Sequence, residues 1–279
     1  MPSRSRRALL ASLVPLGGLL AAALVTFSAS GRGLDEAAMR GFVSLHRDWS
    51  APLATPFVGL AGAGPAFLLL CLLILVAVRR GRPRLAALVV FIAGASAFTT
   101  LVLKHLATDP RSCGCIADMQ VGAGAWPSGH TTMAMTLILS AIIVTPVRLR
   151  PLAAVLGGGV VIAFTYALMV MGWHYPTEVL AGLLVPAVWA PLGLAAMWWA
   201  DARWPERTGR EAAVRLGTAL APMAAGLALG ALMLGAIVLL RPGQAEEFGE
   251  AHTTAVAFGA LIAATAAGLA ASFALLLRR

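Results

Sequence analysis

Three short clusters hold most of the residues that could do chemistry. In His174-Tyr175-Pro176-Thr177-Glu178, an imidazole precedes a carboxylate by four residues. At that spacing Glu178 can hold one ring nitrogen of His174, fix its tautomer and leave the other nitrogen as a nucleophile or base. In Trp126-Pro127-Ser128-Gly129-His130, a proline followed by small residues marks a helix start. The N–H groups of a first helical turn form an anion site. Gly129 lets the backbone approach closely, Ser128 carries a hydroxyl donor, and His130 can give or take a proton near neutral pH. In the third cluster, Lys104 to Arg111, two cations stand seven residues apart, and Lys104 is the only lysine in the chain. Pro110 disfavours a continuous helix, so Arg111 is expected to fold back from a loop. Such a pair suits phosphate, which arginine can bind through two parallel hydrogen bonds. Taken singly, each cluster also has a plainer reading. The cations could snorkel to an interface, Ser128 could be only a helix cap, and Glu178 could be only a favourable charge at a helix start.

The elements that must position these residues are membrane spans. Of 279 residues, 59% are hydrophobic and only 12% are charged, against about 25% charged in soluble domains. Mean hydropathy is +0.86. This excludes an ordinary soluble enzyme and a disordered chain, and three cysteines are too few for a disulfide-stapled module. Eight apolar stretches are long enough to span a bilayer: 8–27, 52–78, 85–103, 131–147, 152–171, 179–199, 216–240 and 253–277. They run continuously, without the alternation of barrel strands, so the expected fold is all-α, a polytopic helical bundle. Arg6-Arg7 and Ser28-Ala29-Ser30 resemble parts of a signal peptide. The first apolar run is longer than such peptides use, which favours a retained helix.

With the N-terminus in the cytoplasm, 15 of the 21 Arg and Lys fall on the inner side, as the positive-inside rule requires. Both termini are then cytoplasmic, and all three clusters lie on the outer side at the ends of adjacent spans. The net charge of +9 sits in short inter-span clusters with no basic face, which argues against nucleic acid as a partner. The basic N-terminus and the Ala/Gly/Arg-rich composition suggest a bacterial inner (plasma) membrane.

Together the clusters are far more specific than apart. They resemble the type 2 phosphatidic acid phosphatase superfamily, whose pattern is Lys-x6-Arg-Pro, Pro-Ser-Gly-His and Ser-Arg-x5-His-x3-Asp. The resemblance covers roughly residues 8–200. It implies a six-helix core over 1–200, and the apolar runs beyond it make 201–279 a cytoplasmic loop and two additional helices. It implies that His174 attacks phosphorus and forms a phosphohistidine, that Glu178 orients it, and that His130 protonates the leaving oxygen and later helps activate water. Lys104, Arg111, Ser128 and the Gly129 N–H would hold the phosphoryl oxygens. No metal or other cofactor is implied, and the sequence shows no compact metal-ligand set. The substrate would be a phosphorylated lipid such as a polyprenyl diphosphate or phosphatidic acid, met at the bilayer surface. The rival readings are a phosphoryl transferase on the same site and a non-catalytic lipid-phosphate binder or assembly protein, with the last two helices as a docking element for a partner.

Three departures from that pattern stand out. Ser112 replaces the proline after Arg111, and Glu178 replaces the aspartate. The Ser-Arg pair falls on Ala167 and Leu168, and no arginine occurs between Arg150 and Arg203. Loss of one oxyanion donor can lower a rate by about 10²–10³. Arg47 or Arg241 could substitute, and Asp109 would weaken the local positive potential. Cys113 and Cys115 lie in the outer loop, Cys71 is expected to pack within its span, and His105 could line the pocket. Gly157-Gly158-Gly159 and the Gly226/Gly230 pair suit close helix packing.

Overall fold

A computed structural model describes residues 3–46, 51–107, 125–205 and 242–278. Arg47, Asp109, Arg111, Ser112, Cys113, Cys115, Arg241, the Gly226/Gly230 pair and the expected span 216–240 lie outside the described residues. The described residues are helical throughout, with α1 Ser3–Phe27, α2 Ala29–Ser44, α3 Ala51–Gly59, α4 Ala63–Arg79, α5 Pro83–Leu106, α6 Gly129–Val144, α7 Arg150–Val170, α8 Pro176–Arg203, α9 Pro242–Ala251 and α10 Thr253–Leu276. Five of these, α1, α5, α7, α8 and α10, are long and apolar enough to cross a membrane, and α4 and α6 are shorter apolar helices. The chain is a multi-pass membrane protein.

Two segments differ from expectation. The stretch 52–78 is not one helix but α3 and α4, separated by a turn at 60–62. Gly59, Gly62 and Gly64 and the prolines at 56 and 65 weaken a continuous helix there. The polar connection 28–51 contains the 16-residue helix α2, capped by Ser28, whose side chain accepts from the Gly31 N–H at 3.0 Å. Its buried face carries Gly31, Asp35, Ala38, Met39 and Phe42 at helical spacing. This is an amphipathic helix rather than an apolar one, so a search for spans passes over it.

Helix α8 is the axis of the bundle. It packs along α1, α5 and α6, and α7 packs against α10. Large apolar side chains on the outer faces of α1, α4, α5 and α7 are exposed, among them Leu13, Leu24, Phe67, Leu72, Phe98 and Leu156. In a bilayer these faces meet lipid. Inside, glycines bring backbones close, because packing rather than water exclusion holds membrane helices together. A Cβ at Gly157 would lie 2.5 Å from the Ile138 Cγ2, the close packing expected of the triple glycine. Cys71, expected to pack, is exposed on α4 instead.

The arginine-rich end is tied through helix C-termini, where carbonyl groups have no intrahelical donor. Buried Arg150 donates to the carbonyls of Thr145 (3.2 Å), Leu277 (3.0 Å) and Ile143 (3.3 Å), linking α6, α7 and the end of α10. Arg80 donates to the Val144 carbonyl and Arg84 pairs with Asp201, adding α4, α5 and α8. A cation near helix C-termini also complements their dipoles. The opposite end gathers the starts of α6 and α8, the end of α5 and helix α2.

Candidate active site

The site is assembled by helix ends. Gly172, at φ 73°, ends α7. Its N–H donates to the Met169 carbonyl at 3.0 Å, and the Trp173 N–H donates to that of Leu168 at 3.0 Å. This is a Schellman termination, which needs a residue at positive φ. It reverses the chain within a few residues, so that His174 is delivered just before α8. Tyr175 is the N-cap of α8, and Pro176 follows at the first helical position. Glu178 Oε2 accepts from the Tyr175 N–H at 3.2 Å and from His174 Nδ1 at 2.9 Å. One buried carboxylate therefore caps the helix and holds the imidazole.

The facing helix start is α6. The Ser128 side chain accepts from the Thr131 N–H at 3.2 Å as its cap. The Ser128 N–H donates to the Glu178 carbonyl at 3.0 Å, which fastens the start of α6 to the first turn of α8. The two helices touch closely there, because a Cβ at Gly182 would lie 2.7 Å from the Ser128 carbonyl oxygen and 2.8 Å from the Thr131 Cβ. That approach sets His130 beside His174, with His130 Nδ1 and His174 Nε2 3.3 Å apart. Since Glu178 only accepts when ionised, His174 carries its proton on Nδ1, and the Nε2 lone pair faces His130. The tautomers are assigned from this network. The Trp173 ring, with its centroid 5.7 Å from that of His130, walls the pair on one side.

Lys104 arrives from α5, antiparallel to α6. Thr100 and Thr132 face each other, with their hydroxyls 3.3 Å apart. One turn farther along α5 in that register, Lys104 falls opposite Ser128 and Gly129. Its Cε lies 3.9 Å from where a Gly129 Cβ would be. The lysine stem therefore runs beside the opening turn of α6, whose Gly129 and His130 N–H groups have no intrahelical acceptor. An ammonium, two first-turn amides and two imidazoles thus share one end of the bundle, a fitting environment for a phosphate.

The structure thus brings together His174, Glu178, His130, Ser128, Gly129 and Lys104, and Arg111 lies outside the described residues. His105 does not line the site. It is exposed, and its Nδ1 is 2.8 Å from the Leu101 carbonyl of its own helix. Leu168 is fully buried in an apolar cluster with Val58, Ala61, Ala134 and Phe164. No vacant anion position remains at Leu168. Sequence reasoning missed Asp35 of α2. This buried carboxylate accepts from the Thr177 N–H at 3.0 Å and from its hydroxyl at 2.5 Å. The available signal was a lone acid on the small, apolar face of α2.

Residues 84–205 match the PAP2 superfamily, which bears out the expected resemblance over the α5–α8 segment that holds every site residue named above except Asp35. Among solved structures, the chain is similar to that of the first transmembrane PAP2 type phosphatidylglycerolphosphate phosphatase from Bacillus subtilis. The identity is 16%, the coverage is 71% of this chain and 98% of that chain, and the TM-score is 0.56. At that identity the likeness is one of fold. Comparison with curated proteins gave no match.

Proposed function

We propose that this chain, whose residues 84–205 belong to the PAP2 superfamily, is a lipid phosphatase that transfers the phosphoryl group through a phosphohistidine on His174. The observation that carries this reading is the line Glu178–His174–His130, with contacts of 2.9 and 3.3 Å. It leaves one lone pair on Nε2 and sets a proton carrier beside it.

In the first step Nε2 forms a bond to phosphorus while the bond from phosphorus to the leaving oxygen breaks. His130, protonated, gives its proton to that oxygen, and the dephosphorylated lipid departs. Glu178 stabilises the positive charge that develops on the His174 ring. In the second step water attacks phosphorus, His130 takes a proton from it, and the N–P bond breaks to return the pair to Nε2. Inorganic phosphate leaves and both histidines are restored. Seating phosphorus between the rings requires the His130 ring to turn aside, since 3.3 Å is already a direct contact. Lys104, the Gly129 and His130 amides, the Ser128 hydroxyl and Arg111 hold the phosphoryl oxygens. Phosphoryl transfer depends mainly on such positioning and charge stabilisation.

The substrate class is a phosphate monoester or diphosphate of a lipid. The site lies at the end of apolar helices, where a head group would meet it while its chains stay in the bilayer. The opposite end carries Arg79, Arg80, Arg82, Arg84, Arg148 and Arg150. By the positive-inside rule that end is cytoplasmic and the site is extracytoplasmic, in a plasma membrane. The buried apolar setting of Leu168 favours one alternative, a protein that binds lipid phosphates without turnover. The test is phosphate release by the purified protein from phosphatidic acid, a polyprenyl diphosphate and phosphatidylglycerol phosphate. Release by the native chain that disappears in His174→Ala and His130→Ala supports the reading. Turnover unchanged in His174→Ala rejects the mechanism, and binding of these lipids without any release supports the alternative.

A further inference from the structure

We infer that Asp35 is a positioning residue for the proposed reaction, clamping the first turn of α8 from outside the matched segment so that Glu178 holds His174 in its attacking tautomer. This inference rests on the phosphatase reading.

Asp35 is fully buried. A buried carboxylate is strongly unfavourable unless hydrogen bonds compensate it. Here each carboxylate oxygen accepts a hydrogen bond from Thr177. Oδ1 accepts its N–H at 3.0 Å and Oδ2 accepts its hydroxyl at 2.5 Å. Thr177 sits between the two halves of the dyad, three residues after His174 and one before Glu178. Its N–H is one of the first-turn groups that have no intrahelical acceptor. The Tyr175 N–H is held by Glu178 Oε2 at 3.2 Å, and the Thr177 N–H is held by Asp35. The same Glu178 oxygen must also hold His174. Without Asp35 the Thr177 N–H and hydroxyl lose this acceptor, and the carboxylate that should fix the imidazole is left to hold a loosened helix end.

The clamp has a rigid base. Helix α2 is anchored on α7 and α10, away from the dyad. Its Phe42 ring packs on that of Tyr166, with centroids 6.0 Å apart, and the Tyr166 hydroxyl donates to the Gly259 carbonyl at 2.8 Å. A Cβ at Gly41 would lie 2.5 Å from that of Ala255. Asp35 thus couples this packing to the turn carrying His174 and Glu178. Its two bonds to Thr177 join it to the turn that carries both His174 and Glu178.

The test uses the full chain in detergent, with two readouts. One is kcat and KM for phosphatidic acid. The other is the side-chain ¹⁵N spectrum of His174, assigned with His174→Ala. In Asp35→Ala, kcat is expected to fall about 10- to 100-fold, as for a misplacement of about 1 Å, while KM changes little. The His174 spectrum is expected to change from a single Nδ1-protonated form to a tautomer mixture. Asp35→Asn keeps an acceptor for the Thr177 N–H, and its amide can donate to the hydroxyl instead. It is expected to restore kcat to within about threefold of wild type. If Asp35→Ala does not fold, Thr177→Val, which removes only the hydroxyl, decides by showing an intermediate loss with a shifted His174 spectrum. A folded Asp35→Ala with native kcat and spectrum overturns the inference, as does Asp35→Asn falling as far as Asp35→Ala or an unaffected Thr177→Val. If the native chain releases no phosphate, the functional reading fails, and the spectra alone still decide what Asp35 does.

Discussion

Gly182→Ala should damage the site while adding a single methyl group to α8. The new Cβ would lie 2.7 Å from the Ser128 carbonyl oxygen, 2.8 Å from the Thr131 Cβ and 3.2 Å from the Thr132 nitrogen. Carbon contacts are comfortable at about 3.5 Å or more. Two of these three neighbours are backbone atoms of the opening turn of α6, which no rotamer change can move. The helices must therefore separate by about 0.7 Å, the shortfall against that comfortable spacing. The Ser128 N–H···O=C Glu178 bond, now 3.0 Å, would then stretch beyond useful length. His130 begins the same turn and would draw away from His174. Overpacking of this kind is expected to destabilise the fold by about 1–3 kcal/mol, and the misplacement to lower kcat by about 10²-fold. The comparison is Gly157→Ala, whose Cβ would meet Ile138 Cγ2 at 2.5 Å, well along α6 and α7 from the dyad. Its neighbour is the half-buried Ile138 side chain, which can shift, so this variant should show a smaller loss of thermal stability with kcat preserved. Phosphate release per folded molecule, measured beside thermal unfolding in detergent, separates the two effects. Native kcat in Gly182→Ala, or an equal loss in Gly157→Ala, would refute the claim that the α6–α8 approach positions the histidines.

Other perturbations follow from the same contacts. Leu168→Arg should not raise activity. It places a charge in the Val58, Ala61, Ala134 and Phe164 cluster, and thermal unfolding should show a loss of several kcal/mol. Glu178→Gln keeps an acceptor for Tyr175 but loses the charge that stabilises the His174 cation. Its kcat should fall by about 10²-fold with little change in KM, as steady-state kinetics would show. Arg150→Ala leaves the Leu277 and Ile143 carbonyls without their donor. It should lower stability by about 2–4 kcal/mol without changing kcat of the folded fraction.

Much of this arrangement was legible in the residues because the site is built from helix starts. The Ser128 cap and the His174/Glu178 spacing are local patterns, and each forms with its neighbours in the chain. The five long apolar helices α1, α5, α7, α8 and α10 were legible because long apolar runs have few other uses. What escaped depends on distant partners. Helix α2 is amphipathic, and nothing local tells Asp35 that Thr177, 142 positions away, will receive it. The α5–α6 register, which puts Lys104 beside Gly129, is set by which side chains interdigitate. The break in 52–78 was signalled by its glycines and prolines, yet high hydropathy masked it. Leu168 could be recognised as a missing arginine, whereas its burial with Val58 and Phe164 is a matter of tertiary packing.

The most direct measurement is to quench the reaction with labelled phosphatidic acid and map the phosphorylated residue by mass spectrometry under alkaline conditions. The expected result is an acid-labile phosphoryl group on His174, formed as fast as turnover, absent in His174→Ala and accumulating in His130→Ala if dephosphorylation is slowed more than attack. Phosphate released at the native rate with no phosphohistidine, or with the group on His130 instead, would contradict the mechanism.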